Sequence, residues 1–123
     1  MKKLFLVSLL LLAGSTWAEW KKFHENEEST SYIDYATVKS NGVMRKAWII
    51  GNIKEADSSG VKSWRVMTEL DFVAEKFRVR SATGFEREFA KGVILLSKDS
   101  VSNWSEIPPQ TNQATLLRIV CAK

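Results

Sequence analysis

The most informative segment of the chain is SWRVMTELDFVAEKFRVRSAT, residues 63–83. Its side chains alternate in character, and alternate residues of a strand point to opposite faces of a sheet. The first half therefore predicts a strand that is mainly apolar on one face and polar on the other. The apolar face would hold Trp64, Val66, Thr68, Leu70 and Phe72, and the polar face Arg65, Met67, Glu69 and Asp71.

The second half of this segment predicts a partner strand. A short connection at residues 72–75 would make an antiparallel hairpin, in which charged groups face opposite charges and apolar groups face apolar groups. The predicted opposite pairs are Asp71 with Lys76, Glu69 with Arg78, and Leu70 with Phe77.

The rest of the chain predicts more strands and one helix. Following two prolines, the stretch QATLLRIVCAK favours a helix of about three turns, with Gln110 or Thr111 as its cap. The predicted class is therefore α+β: a twisted antiparallel sheet of about five or six strands with a C-terminal helix packed on one face. Further strand patterns occupy residues 20–24, 32–33, 43–54 and 89–97.

The first residues, MKKLFLVSLLLLAGSTWA, have the pattern of a cleaved secretory signal peptide: two lysines, an apolar run and a small-residue exit. The apolar run is shorter than the roughly 20 residues that span a bilayer. We therefore predict a signal peptide at 1–18, a single domain at 19–123, and no transmembrane anchor.

Charge and motif spacing exclude several functional classes. Without the two lysines of the signal peptide, the formal net charge of +4 falls to +2, which is too small to indicate nucleic-acid binding. His24 is the single histidine and lies in a predicted edge strand or loop, so we assemble no catalytic triad around it. Zinc or calcium ligand spacing and a glycine-rich phosphate loop are also absent from the sequence. We predict no catalytic residues, no metal and no cofactor.

A row of basic residues is the strongest candidate for recognition. Lys76, Arg78 and Arg80 alternate along one strand, and Arg65 lies on the neighbouring strand. Side chains two apart on a strand lie about 6 to 7 Å apart, which suits a polyanion or an acidic protein patch. The alternative is a solvated sheet face, because acidic residues lie opposite two of these charges. In the predicted register, Arg65 and Arg80 have no acidic partner.

Several short motifs resemble one family. They are Tyr32-Ile33-Asp34, Glu69-Leu70-Asp71 before FRVR, Gly92 before an apolar strand, and Trp104, Ile107-Pro108 and Val120-Cys121 near the end. In these motifs the chain resembles the surface-adhesin protein E family of small exported Gram-negative proteins. The resemblance implies a helix on the concave side of the sheet, binding of host proteins and a homodimer. Together with the predicted signal peptide, it places the protein in the periplasm or at the outer-membrane surface.

Cys121 is the single cysteine of the chain. In the family that the chain resembles, the strand end is usually aspartate then cysteine, and that cysteine is bridged to the one near the C-terminus. Here Asp71 is followed by Phe72. We therefore predict no disulfide within the chain and a free thiol at Cys121, packed near Phe72 and Leu70. An intermolecular disulfide is the alternative.

Three functions remain open from the sequence. The first is a non-enzymatic, adhesin-like binding protein that recognises a protein or polyanionic ligand at the cell envelope through a sheet face or loops. The second is a periplasmic inhibitor or accessory protein that acts on a secreted enzyme such as lysozyme. It would use a loop at residues 24–28 or 82–88. The third is an envelope scaffold that self-associates through an exposed strand edge.

Overall fold

The structure is a computed structural model that describes residues 19–121, and the predicted signal peptide lies outside the described residues. Eight strands of the described range form one antiparallel sheet, and a helix follows them. The α+β class predicted from the sequence is confirmed. The elements are β1 (Lys21–Glu25), β2 (Ser29–Ile33), β3 (Lys39–Asn41), β4 (Met44–Ile53), β5 (Ser63–Asp71), β6 (Lys76–Arg87), β7 (Lys91–Lys98), β8 (Ser105–Glu106) and α1 (Asn112–Cys121).

Six strands follow one another across the sheet in the order β1-β2-β4-β5-β6-β7. This number lies within the predicted range. Two short strands were not predicted: β3 pairs with β4, and β8 pairs with β6. The two ends of the order, β1 and β7, are the edges of the sheet.

β5 and β6 form the predicted hairpin, with residues 72–75 as its turn. The carboxylate of Asp71 holds this turn, because its Oδ1 accepts the backbone N–H groups of Val73 at 3.0 Å and Ala74 at 2.9 Å. The predicted register is confirmed for the pairs Asp71 with Lys76, Glu69 with Arg78, and Leu70 with Phe77.

The hydrophobic core lies between the sheet and α1. We call the side of the sheet that carries α1 the helix face, and the opposite side the far face. α1 lies over the β1 side of the sheet, so β5 and β6 are covered less fully. Along β5 the coverage changes: Leu70 is completely buried, whereas Trp64 and Val66 on the same face are half-buried. The buried cluster consists of Ile33, Ala47, Ile49 and Leu70 from the sheet and Leu116 and Val120 from α1.

Thr111 caps the start of α1, as one of the two predicted candidates. Its Oγ1 accepts the backbone N–H of Ala114 at 3.2 Å and donates to the carbonyl oxygen of Pro108 at 2.8 Å. The cap therefore satisfies one of the N–H groups that the first turn of a helix leaves without a partner.

The turn between β6 and β7 folds over the far face. Ser63 Oγ donates to the carbonyl oxygen of Arg87 at 2.6 Å and accepts the N–H of Ala90 at 2.9 Å. The ring of Phe89 lies 4.9 Å from that of Tyr32. The prediction of a loop at residues 82–88 is wrong, because β6 continues through Arg87 and the turn starts only afterwards.

Candidate binding surfaces

Two of the four predicted binding residues are held by a buried carboxylate. Arg78 Nε lies 2.7 Å from Glu69 Oε1, and Arg80 Nη1 lies 3.2 Å from the same oxygen. Burial would raise the pKa of the Glu69 carboxyl. The hydrogen bonds and charges of the two arginines outweigh that effect and hold the pKa below its ordinary value. Glu69 is therefore ionised at neutral pH and offsets part of the positive charge of the row.

The expectation that Arg80 has no acidic partner is wrong, and a β-bulge explains why. The register shifts between Met67 and Thr68, which face Ser81 and Val79 respectively, so Arg80 is the extra residue. An extra residue has no partner directly opposite, and its strand bends locally. From this position the long side chain reaches Glu69 beside Arg78.

Arg78 has a second contact that the sequence did not predict. Its guanidinium lies over the ring of Trp104, 4.3 Å from the ring centroid. The ring comes from the segment before β8, which pairs with the start of β6. Arg78 is thus fixed between a carboxylate and an indole. Lys76, by contrast, forms no ion pair within residues 19–121, although Asp71 lies opposite it in the register.

Arg65 is the arginine of the row that stays unneutralised. It is exposed on the far face, and no carboxylate of the described residues forms an ion pair with it. Its guanidinium lies 5.2 Å from the ring centroid of Trp48 and 5.8 Å from that of Phe85. These rings attract and orient the cation without cancelling its charge. Arg65 can therefore meet an anionic group of a ligand.

Cys121 is a half-buried thiol at the end of α1. It packs against the core cluster that contains Leu70. Burial raises the pKa of the Cys121 thiol, and the nearby charge of Arg45 opposes this only in part. The guanidinium of Arg45 also lies over the ring of Phe72, 4.8 Å from its centroid. The predicted neighbourhood of Phe72 and Cys121 thus contains a cation, and direct packing between the two remains a prediction.

β7 is an apolar edge of the sheet, which the sequence did not reveal. All eight of its residues are exposed, and within residues 19–121 no strand pairs with its outer side. Val93, Ile94, Leu95 and Leu96 have exposed fractions of 59, 57, 39 and 47%. Contiguous exposed apolar residues on a strand edge are unusual in a free protein and mark a surface for pairing.

Two further properties concern the whole described range. Within residues 19–121, no three His, Cys, Asp or Glu side chains are grouped so that they could hold a metal ion. The same residues include no helix with the length and hydropathy of a membrane span.

The fold defines a class: small α+β proteins with one antiparallel sheet and one C-terminal helix on its face. The chain matches the surface-adhesin protein E family over residues 20–122 and belongs to that family. The resemblance seen in the sequence motifs is confirmed. No curated protein matches the chain.

Solved structures of Haemophilus influenzae protein E have a similar fold. One is 12% identical, with a TM-score of 0.66 over 84% of this chain and 83% of that chain. Crystal form II is 11% identical, with a TM-score of 0.62 over 87% and 97%. The selenomethionine form is 12% identical, with a TM-score of 0.58 over 82% and 91%. At this identity the likeness shows a common fold.

Proposed function

We propose that this protein is a non-enzymatic, adhesin-like binding protein that works outside the inner membrane and recognises an extended segment of another protein by strand addition to β7. The observation that carries the proposal is the exposed apolar edge formed by Val93, Ile94, Leu95 and Leu96. Membership in the surface-adhesin protein E family supports export and macromolecular binding.

The chemistry of β7 suits an extended polypeptide. An edge strand offers a row of unpaired N–H and C=O groups, which a new antiparallel strand can satisfy. Full burial of one aliphatic side chain contributes about 1.5–3 kcal/mol, so partial burial of four can support a stable complex.

The opposite edge strand, β1, is charged where β7 is apolar. β1 has the sequence KKFHE, and Lys22 Nζ lies 3.2 Å from Glu25 Oε1. Charged side chains, lysine above all, are the usual protection of an edge against pairing. β7 has its two lysines only at its ends, Lys91 and Lys98. The chain therefore protects one edge and leaves the other open to a partner.

The basic residues supply a second contact in this proposal. Arg65 faces Thr83 on β6, and Thr83 faces Ser97 on β7. With strands about 4.8 Å apart, Arg65 is about 10 Å from the edge. Acidic groups beside the added strand would be attracted to it. We propose a smaller contribution from Lys76 at the far end of the row, and from Arg78 and Arg80, whose charge Glu69 offsets.

Binding of the purified protein to cultured host cells, measured by flow cytometry, tests the proposal. The edge variant carries Ile94→Lys and Leu96→Lys. The control variant carries Val73→Lys and Val101→Lys, which replace exposed apolar side chains outside β7. We expect the edge variant to lose about tenfold or more in apparent affinity, because lysines oppose strand addition. Equal binding by both variants would show that the ligand does not bind at β7.

The homodimer that the family resemblance implies stays a prediction, and it competes for the same edge. Sedimentation at several concentrations separates the two uses of β7. A strict monomer leaves the edge free for a ligand, as we propose. A tight dimer that the Ile94→Lys variant abolishes would assign the edge to a second copy and contradict ligand addition at β7.

A further inference from the structure

A groove crosses the helix face beside the first residues of α1, with a free volume of about 260 Å³. It lies where α1 stops covering β5 and β6. Asn112 and Gln113 of α1 form one side of it. Its other walls are mainly apolar and include Ile49, Ile53, Trp64, Val66, Phe77 and Val79.

Gly51 provides the room in this groove. It lies in β4, in the interior of the sheet, and faces Trp64 on β5. A Cβ built on Gly51 would meet nothing within 4 Å. Glycine weakens the interior of a strand, and it often marks a place where another chain or a ligand comes close. A larger side chain would instead fill the groove.

Thr68 is a polar residue within this apolar groove. It is only 6% exposed and lines the groove. Its hydroxyl adds a polar group to the lining of the groove. Nearby, Asn112 Nδ2 donates to Ser31 Oγ over a long 3.4 Å. The groove thus offers hydroxyl and carboxamide groups to the N–H and C=O groups of a peptide backbone.

The groove opens at one end into a wider cleft of about 500 Å³, with Ser29, Ile53 and Trp64 common to both. Within the described residues, no lysine or arginine forms an ion pair with the carboxylates of Glu27, Glu28 and Glu55. These carboxylates and that of Asp57 line the cleft.

The carboxylate of Asp57 stays charged at the cleft. Its hydrogen bonds from the hydroxyl and the backbone N–H of Ser59 hold its pKa below its ordinary value. The cleft is therefore negative although the whole chain carries a positive net charge. A cation beside an apolar group is the ligand chemistry that complements this arrangement.

We propose that the groove and cleft bind an extended segment of a partner protein, in which apolar side chains occupy the groove and a following lysine or arginine lies among the cleft carboxylates. The groove supplies apolar contacts and backbone hydrogen bonds, and the cleft supplies charge. This site is separate from β7 and does not depend on the function proposed for that edge.

Fluorescence polarisation with two synthetic peptides tests the proposal. Both peptides alternate leucine and threonine, and one ends in two lysines whereas the other ends in two glutamates. We expect the lysine peptide to bind at least tenfold more tightly, and to bind less tightly as salt is added. Equal affinities, or no binding of the lysine peptide, would contradict the proposal.

Variants locate the binding. Gly51→Leu should weaken the lysine peptide about tenfold or more by filling the groove, and the smaller Gly51→Ala should do so less. Glu28→Gln combined with Glu55→Gln should cost about two- to fivefold for each carboxylate. The control Glu25→Gln removes a carboxylate that is paired with Lys54 at 2.7 Å, and it should leave affinity unchanged.

Two results would overturn the assignment. The first is unchanged peptide binding by folded Gly51→Leu, with the fold checked by circular dichroism. The second is loss of peptide binding in the Ile94→Lys edge variant, because that residue lies on β7, outside the groove and cleft. Retained binding in the edge variant would support a separate site, whatever the outcome of the host-cell experiment.

Discussion

Replacing Glu69 by glutamine should destabilise the protein measurably. The residue is 7% exposed and accepts hydrogen bonds from Arg78 at 2.7 Å and Arg80 at 3.2 Å. Glutamine keeps the size of the side chain and removes its charge. A hydrogen bond to a charged group contributes about 1.5–3 kcal/mol. The side chains of the two arginines are 26% and 38% exposed, so water replaces part of this. We expect a loss of about 1–2 kcal/mol.

The pH dependence of this loss has a definite sign. The pKa of the Glu69 carboxyl is lower in the folded protein than its ordinary value of 4.5. Its contribution to the free energy of unfolding is therefore complete well above pH 4.5 and disappears as pH falls through the folded-state pKa. The wild type and Glu69→Gln should differ most at neutral pH and converge in acid.

Urea denaturation followed by tryptophan fluorescence measures both effects, and Trp104, stacked on Arg78, lies close to the change. Glu25→Gln is the matched control. Its carboxylate also has a 2.7 Å ion pair, to Lys54, but its side chain is 43% exposed. We expect no measurable change in that variant. Equal stability of Glu69→Gln and wild type at neutral pH, or a difference that persists unchanged in acid, would contradict this role of the Glu69 carboxylate.

Three further outcomes are expected. Leu70→Ala should lower the free energy of unfolding by about 2–5 kcal/mol, because Leu70 is fully buried in the core; a loss below about 1 kcal/mol in urea denaturation would contradict this packing. Burial raises the pKa of the Cys121 thiol, so a thiol reagent near pH 8 should label the native protein at least tenfold more slowly than the unfolded chain; equal rates would contradict a packed thiol. Arg65→Ala should weaken host-cell binding severalfold while stability changes by no more than about 0.5 kcal/mol. Unchanged binding would show that Arg65 does not contribute to the binding surface.

The hairpin of β5 and β6 could be predicted because its determinants are local. Alternation fixes the faces of both strands, and opposite charges fix the register between Glu69 and Arg78. The helix could be predicted from its apolar residues and its cap at Thr111 for the same reason. Local patterns failed at Arg80, because a bulge shifts the register without a glycine or proline to mark it.

The binding surfaces depend on how the whole chain is arranged, so the sequence alone did not reveal them. The run GVILL in β7 has the pattern of a buried strand, and only the strand order makes it an edge. Gly51 likewise gives no signal of its own. Its role as the floor of a groove depends on where the first residues of α1 lie relative to β5 and β6.

The adhesin-like role is tested most directly by asking whether the protein is exposed on the surface of living cells. Intact cells that produce the protein are treated with protease, and the protein is then followed by immunoblotting, with a periplasmic protein as the control. An adhesin-like role at the cell surface predicts that the chain is degraded while the periplasmic control survives. Survival of the chain until the outer membrane is opened would contradict that role.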